Sequence, residues 1–402
     1  MPYQLTSLRL LLFVLVIGST IAGCSKCSTT EPGESHRTLA DFEAISQENR
    51  NRLNNRFYVG NCEVSEDSLL LSGVVSLTIE EAEELARFRG GTLCFPDRVE
   101  LTPEIASALA TWSGPILVFD GLETLDGETA GQLAKWQGFH LHLDGLTQLD
   151  VVTAAQIAEW SGYFLTLRGL SSLEADSAQE LASWPGGTLS VGSSDGLKPA
   201  SASALVQWEG SYLWFDNITS ISVEAARELA NWKYPWGTGA RLGFRHLETL
   251  DGDTAASFAS GDFQGDFIFG GLRTLSEEAA IQLAEWGGHG LSFPDLKTLD
   301  LVTAKALSSW DGHALEFDGL TTLPPEIASE LASWSGESLS FGTLKEIDFE
   351  TAEILAGWEG YKLYLWQLTQ FDDDVARALS DFGGYLIAPS SDLRDKVNEY
   401  RD

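Results

Sequence analysis

The sequence predicts an α/β solenoid of about 13 strand–turn–helix repeats, with a parallel sheet on one face and short helices on the other. Three observations support this fold class. Tryptophan recurs at intervals of 24 residues, each interval contains a strand pattern followed by a helix pattern, and ten of the 13 tryptophans in the chain occupy that one position. A unit this short cannot bury its apolar face alone, so neighbouring units are expected to stack around a shared core.

The tryptophan position defines the repeat. Phenylalanine fills the equivalent position at Phe88, Phe263 and Phe382. A large aromatic side chain at a fixed point of each helix is predicted to lie in the core rather than to form a row of stacking platforms for sugars. The tryptophans form two runs: Trp112, Trp136, Trp160, Trp184, Trp208 and Trp232, then Trp286, Trp310, Trp334 and Trp358.

Residues 315–336 show the order of elements within one repeat. Leu315 and Phe317 alternate with polar residues, which places two apolar side chains on one face of a short strand. Two further leucines follow, and then the pattern Ala-x-x-Leu-Ala-x-Trp, which ends at Trp334 and has the spacing of one helix face. Each repeat is therefore predicted to contain a strand, a turn and a helix of two to three turns.

Helix starts and ends are also marked. A Ser, Thr or Asp stands before the helix in ten repeats, where its side chain can accept hydrogen bonds from free amides. Pro103 and Pro325 are predicted to lie in the first helical turn. The glycines that follow the tryptophan position are predicted to end each helix: Gly114, Gly138, Gly162, Gly210 and Gly336. The ten capping residues are Thr78, Thr102, Asp126, Asp150, Ser222, Asp251, Ser276, Asp300, Asp348 and Asp372.

The 24-residue pattern over residues 69–388 resembles bacterial leucine-rich repeats, nearest to the short repeats of BspA-like surface proteins. The resemblance implies a horseshoe-shaped solenoid. The pattern lacks the asparagine that usually forms a ladder between turns, and Leu320 and its equivalents hold that place. In such scaffolds, binding residues usually lie at strand positions that point away from the core.

The chain ends are predicted to lie outside the repeats. Arg9, an apolar run and small residues before Cys24 indicate a secretory signal over residues 1–23. The stretch 21–24 resembles a bacterial lipobox, which implies a lipid on Cys24 and a location in the cell envelope. Ser25 rather than Asp favours the outer membrane, and plain secretion is the alternative. We further expect a flexible tether over residues 24–38, an N-terminal cap over 39–68 and a charged tail over 389–402.

The charge of the chain limits its partners, and its cysteine content limits the disulfides it can form. The net charge of −34 excludes nucleic acid as a partner, because like charges repel. Cys27, Cys62 and Cys94 are too few for a disulfide framework. A Cys62–Cys94 disulfide and two separate thiols both stay open.

Candidate binding residues are the outward side chains of the middle strands and those of the one insertion. Residues 233–246 break the period and add about five residues before the next strand. We predict that the loop and the middle strands together bind a protein or peptide partner, against the alternative of a merely soluble sheet. The candidates are Asp120, His140, His142, Asp144, Phe164, Arg168, Tyr212, Trp214, Asp216, Tyr234, Trp236, Arg241 and Arg245.

Other functions have weaker support. The chain lacks a nucleophile elbow, a phosphate-binding loop and a dinucleotide fingerprint, so neither an enzyme nor a cofactor is expected. His140, His142 and Asp144 could hold zinc, but no further metal motif accompanies them, and no metal site is predicted. The main alternative is a carbohydrate-binding or adhesion module that uses Tyr212, Trp214, Tyr364 and Trp366 as stacking platforms.

Overall fold

The computed structural model describes residues 36–52, 58–59, 62–63, 67–388 and 391–401, without the side chains of residues 52, 58–59 and 62–63. The predicted signal peptide, the predicted lipidation site Cys24 and most of the predicted tether lie outside these residues. Among the described residues, no helix has both the length and the apolar character needed to cross a membrane.

Fourteen of the described strands form one parallel sheet in which every strand pairs with the next in chain order. A separate antiparallel pair consists of β1 (Tyr58–Val59) and β2 (Cys62–Glu63). The strands of the main sheet are β3 (Ser68–Leu70), β4 (Thr92–Phe95), β5 (Ile116–Phe119), β6 (His140–His142), β7 (Phe164–Leu167), β8 (Thr188–Gly192), β9 (Tyr212–Asp216), β10 (Arg241–Phe244), β11 (Asp266–Phe269), β12 (Gly290–Ser292), β13 (Ala314–Glu316), β14 (Ser338–Phe341), β15 (Lys362–Leu365) and β16 (Tyr385–Ile387).

One short helix follows each of these strands, and consecutive helices pack against each other. The predicted leucine-rich-repeat-like solenoid is therefore confirmed. The helices are α1 (Leu39–Arg52), α2 (Ile79–Leu85), α3 (Pro103–Leu109), α4 (Gly127–Leu133), α5 (Val151–Ala158), α6 (Ala175–Leu181), α7 (Pro199–Leu205), α8 (Val223–Leu229), α9 (Gly252–Ala259), α10 (Glu277–Ala284), α11 (Leu301–Ser308), α12 (Pro325–Ala332), α13 (Phe349–Ala356), α14 (Asp373–Ser380) and α15 (Ser391–Arg401).

Strand register keeps equivalent residues side by side. Leu141 of β6 lies opposite Leu165 of β7, and both are buried in the core between sheet and helices. The residues between the apolar anchors point to the opposite face of the sheet, because side chains alternate along a strand. Each strand thus presents a first, a middle and a last outward position, the last at or just beyond the strand end.

The tryptophan position is structural, as predicted. Trp160 is 0% exposed, and its ring centroid lies 5.8 Å from that of Trp136 and 5.9 Å from that of Trp184. Its indole Nε1 donates a hydrogen bond of 2.9 Å to the backbone carbonyl of Trp136, one repeat earlier. Nine of the ten repeat tryptophans make this bond, at 2.6–3.2 Å. Adjacent repeats are therefore joined by stacking and by hydrogen bonding at the same point.

The glycines after the tryptophan have a different role from the one predicted. A left-handed helix-ending glycine has a positive φ, and none of the five glycines named above does. A Cβ atom at Gly162 would overlap the ring of Trp160 two residues earlier, and Gly114, Gly138, Gly210 and Gly336 stand in the same relation to their own tryptophans. These positions are therefore glycine because the indole occupies the space that a side chain would need.

The predicted helix starts are confirmed. All ten predicted capping side chains accept a hydrogen bond from the amide three residues later. Pro103 and Pro325 occupy the first helical position of α3 and α12.

Helix α1 flanks the first strand of the main sheet, and α15 packs against α14 at the other end of the solenoid. On α1, Ser46 and Asn49 bond the backbone of Leu70, which would otherwise face solvent at the edge of β3. The segment predicted as a charged tail contains α15, whose Leu393 is buried in the core. Cys94 on β4 forms a disulfide bond, and the side chain of Cys62 lies outside the described residues.

Candidate binding face on the sheet

The outward residues of strands β5–β11, here called the central face, include most of the predicted binding residues. The strand register aligns them in three rows across neighbouring strands, and β8, with only small outward residues, separates the rings of β6 and β7 from those of β9. On this face lie Asp120 after β5; His140, His142 and Asp144 along β6; Phe164 and Arg168 along β7; Tyr212, Trp214 and Asp216 on β9; and Arg241 and Arg245 along β10.

Arg168 and Asp144 form an ion pair between adjacent strands. The guanidinium donates from Nε at 2.8 Å and from Nη2 at 2.6 Å, and the Arg168 backbone amide donates to the same carboxylate at 2.8 Å. Burial by itself would raise the pKa of Asp144, but the charge of Arg168 and these hydrogen bonds hold the pKa below its usual range. Asp144 is therefore ionised, and its carboxylate already accepts three hydrogen bonds from Arg168.

A second ion pair is combined with a tryptophan. The carboxylate of Asp216, a residue only 3% exposed, lies 3.0 Å from Nε of Arg245 and accepts a hydrogen bond from Ser190. The Arg245 guanidinium lies 4.6 Å from the ring centroid of Trp214, in cation–π contact. The ring has room because the next strand carries Gly243, where a Cβ atom would overlap it. Burial raises the pKa of Asp216, although Arg245 and Ser190 oppose the shift.

The third arginine of the central face is paired as well. Nε of Arg241 lies 3.1 Å from Asp266, and its guanidinium lies 5.9 Å from the ring of Tyr212. Asp266 also meets Nδ1 of His289 at 2.8 Å. Each arginine of the central face therefore has its own carboxylate, so this surface is close to electrically balanced in a chain of net charge −34.

Beside these ion pairs lies a group of four rings at the start of β6 and β7, here called the aromatic cluster: Phe139, His140, Tyr163 and Phe164. Phe139 stacks on Tyr163 at 5.3 Å, and His140 stacks on Phe164 at 4.2 Å. Phe139 is 47% exposed and Tyr163 is 38% exposed. These two residues are not among the predicted binding residues because they precede the strand. Their recurrence 24 residues apart, directly before the first outward position, could have identified them.

The two histidines are neutral near pH 7. Burial lowers the pKa of His140 to about 4, and burial likewise lowers the pKa of His142 to about 4. Nδ1 of His142 lies 3.0 Å from the hydroxyl of Thr166. Asp144, the third residue of the zinc constellation, is occupied by Arg168. Over the part of the chain that the structure describes, no three His, Cys, Asp or Glu side chains are grouped to hold a metal ion.

The insertion leaves the sheet register intact, because Arg241 still lies opposite Tyr212. Tyr234 stands where other repeats have the glycine after tryptophan, and it packs partly buried against the core. Trp236 is 79% exposed, and Gly237 beside it has a φ of +102°. The structure therefore brings Arg241 and Arg245 onto the central face, whereas Tyr234 and Trp236 lie in the loop that leads from α8 to the start of β10.

Comparison with known proteins finds only distant structural likenesses. No family model matches the chain, and no curated protein does. Among solved structures, a chain of the Drosophila Toll–Spatzle complex, described as a molecular hub in development and innate immunity, aligns with a TM-score of 0.42 and 13% identity. The alignment covers 75% of this chain and 42% of that one. A TLR13–ssRNA13 complex aligns with a TM-score of 0.43 and 16% identity, covering 74% and 42%. This chain thus spans about two fifths of their length, and the likeness is too distant to indicate a function.

Proposed function

We propose that this protein is a non-enzymatic, lipid-anchored protein of the cell envelope whose repeat solenoid binds a protein partner across the central face. The observation that carries the proposal is the aromatic cluster, two of whose rings are more than one-third exposed beside fully paired arginines. Large rigid rings and arginines contribute most of the binding energy in protein interfaces.

The shape and charge of the central face suit a protein surface. Its outward residues follow successive strands, and equivalent side chains stay in register over several strands. The ion pairs are formed within the chain, so a partner can cover them without supplying a charge of its own. A broad, balanced surface with exposed rings resembles the centre of a protein–protein interface, where uncompensated charge is depleted.

Replacing the two exposed rings of the aromatic cluster tests whether a protein partner binds there. In the variant Phe139→Ser/Tyr163→Ser, two exposed rings are removed from the face, so the fold is expected to persist. The matched control Val152→Ser/Val302→Ser removes two exposed apolar side chains, 60% and 49% exposed, from helices α5 and α11. The tagged full-length protein is cross-linked in the native envelope, and captured proteins are identified by mass spectrometry.

We expect one protein to be captured by the wild type and by the helix control, and to be lost from the face variant. Equal capture by both variants would place the interface elsewhere on the molecule. The absence of any specific capture by the wild type would count against protein binding altogether.

The membrane anchor rests on the lipobox resemblance around Cys24. Metabolic labelling with a fatty acid followed by membrane fractionation tests it. Label and membrane association are expected for the wild type and not for Cys24→Ser, and an unlabelled wild type would contradict the anchor.

The carbohydrate alternative would use Tyr212, Trp214, Tyr364 and Trp366. Arg245 covers one face of Trp214, which leaves that ring less surface on which a sugar could stack. Binding of soluble glycans that survives Phe139→Ser/Tyr163→Ser would favour this alternative over the protein partner.

A further inference from the structure

Strand β13 carries two outward carboxylates that form no ion pair within the part of the chain that the structure describes. Glu316 and Asp318 lie along β13 and are only partly exposed. No arginine or lysine forms an ion pair with either carboxylate among the described residues. On the central face, by contrast, Asp144, Asp216 and Asp266 each form an ion pair with an arginine. Burial raises the pKa of both carboxyl groups, and the charge of Asp318 raises that of Glu316 further. The charge of Arg241 and a hydrogen bond from Ser292 oppose the shift at Glu316 without cancelling it, so neither carboxylate has an ion-pair partner among the described residues.

Asp318 extends over the next strand. The hydroxyl of Ser340 donates a hydrogen bond of 2.8 Å to its carboxylate, and a Cβ atom on Gly342 would lie 2.6 Å from the Asp318 Cβ. Ser340 and Gly342 occupy the middle and last outward positions of β14, so they form a low floor beside the two carboxylates.

Two aromatic rings stand on the other side of this floor. Tyr364 and Trp366 lie along β15 with their ring centroids 5.3 Å apart, and Trp366 is 36% exposed. Strands β13 and β15 are two strand spacings apart, roughly 10 Å, which accommodates one flat cationic group between acid and ring. We call these six residues the terminal slot: Glu316, Asp318, Ser340, Gly342, Tyr364 and Trp366.

The central face shows what such a slot holds. There, Arg245 lies between a strand-end aspartate and a tryptophan ring, 3.0 Å from Asp216 and 4.6 Å from Trp214. In the terminal slot, Asp318 and Trp366 occupy the last outward positions of β13 and β15, two strands apart, whereas Asp216 and Trp214 lie on one strand. The last outward position of β14, between the acid and the ring, is Gly342 rather than arginine. The chain thus repeats the acid and the ring and omits the guanidinium.

We propose that the terminal slot binds the guanidinium of an arginine side chain from a protein partner. A guanidinium can stack on an aromatic face and pair with a carboxylate at the same time, which a compact ammonium group does less well. The bound arginine would supply the ion-pair partner that Glu316 and Asp318 do not have among the described residues. The proposal rests on the sheet face being a binding surface, but its test uses a peptide and therefore fails or succeeds separately from the search for the partner.

The test uses a blocked Gly-Arg-Gly peptide and its citrulline analogue, which has nearly the same shape and no charge. Both are titrated into the protein at physiological ionic strength, and the indole N–H resonance of Trp366, assigned with Trp366→Phe, is followed by NMR. Nine repeat indoles are held in backbone hydrogen bonds within the core and serve as internal references for an intact fold.

We expect a saturable shift of the Trp366 resonance with the arginine peptide and none with citrulline. Glu316→Gln/Asp318→Asn should weaken the arginine peptide at least about tenfold, the factor that one lost charge-assisted contact typically produces. Glu326→Gln/Glu350→Gln, which makes the same charge change at two exposed positions of α12 and α13, should leave the affinity unchanged. Equal response to citrulline, equal loss in both variants or no saturable shift would each overturn the proposal.

Discussion

Replacing Trp160 with alanine tests the core role of the tryptophan ladder most directly. The side chain is 0% exposed, stacks on Trp136 and Trp184, and donates through Nε1 to the Trp136 carbonyl at 2.9 Å. Truncating a buried tryptophan costs roughly 3–5 kcal/mol. Leaving the carbonyl of Trp136 buried without its donor adds about 1 kcal/mol or more. We therefore expect Trp160→Ala to lower the free energy of unfolding by about 5 kcal/mol.

The substitution Trp160→Phe separates the two contributions. Phenylalanine keeps a stacked ring, as Phe263 does between Trp232 and Trp286. It loses only the hydrogen bond and part of the volume, so a cost of about 1–2 kcal/mol is expected.

Urea unfolding followed by circular dichroism measures these differences, with Trp236→Ala as the control. Trp236 is 79% exposed, so its removal should change the free energy of unfolding by less than about 0.5 kcal/mol. In a stacked-repeat protein, Trp160→Ala could also divide the transition into two steps, because each repeat contacts only its neighbours. A loss below about 1 kcal/mol for Trp160→Ala, or similar losses for Trp160→Ala and Trp236→Ala, would refute the core role.

Two further predictions follow from the same region. Gly162→Ala should cost about 1–3 kcal/mol by urea unfolding, because the new Cβ overlaps the Trp160 ring, whereas Gly287→Ala, with no atom within 4 Å of its Cβ, should be nearly neutral; equal effects would contradict the packing role of glycine. His140 and His142, each with a pKa of about 4 against an ordinary 6.5, take up fewer protons in the folded chain than in the unfolded one, so the stability they contribute is complete above pH 6.5 and is lost as the pH falls towards 4. Thermal unfolding should therefore depend less on pH over this range in His140→Gln/His142→Gln than in the wild type, and identical profiles would contradict the depressed pKa values.

The solenoid was predictable because its determinants are local and repeated. A capping Asp, Ser or Thr before the helix in ten repeats and an apolar pair in the strands recur at one spacing, so each repeat supports the interpretation of the others. The role of the glycine after tryptophan was not predictable in this way. Gly162 has the same spacing whether it ends a helix or makes room for an indole, and only the direction of the Trp160 ring distinguishes the two.

The candidate face was predictable in its position but not in its pairing. Asp144 and Arg168 are 24 residues apart, so their proximity on adjacent strands follows from the period. Asp216 and Arg245 are separated by the insertion, and their pairing depends on the register that the sheet keeps across it. The Trp214 ring lies over Gly243 because that residue has no side chain. The spacing of residues along one strand does not show which residue of the neighbouring strand a ring will cover.

The insertion can be removed so that the regular spacing from Trp232 to strand β10 is restored. In regular repeats, the tryptophan is followed two residues later by glycine and four residues later by the first strand residue, as in Trp208, Gly210 and Tyr212. Deleting residues 234–238 places Gly239 two positions after Trp232 and leaves Arg241 four positions after it.

Strand β10 need not move after this deletion, because Arg241 already lies opposite Tyr212. The only packing lost is that of the partly buried Tyr234, so we expect the free energy of unfolding to change by about 1 kcal/mol in urea. A loss of several kcal/mol would show that the loop stabilises the solenoid. If the deletion variant folds, its capture of the partner decides the role of the exposed Trp236: reduced capture would place the loop in the binding site with the central face, and unchanged capture would restrict the site to the strands, because the deletion leaves their outward residues in place.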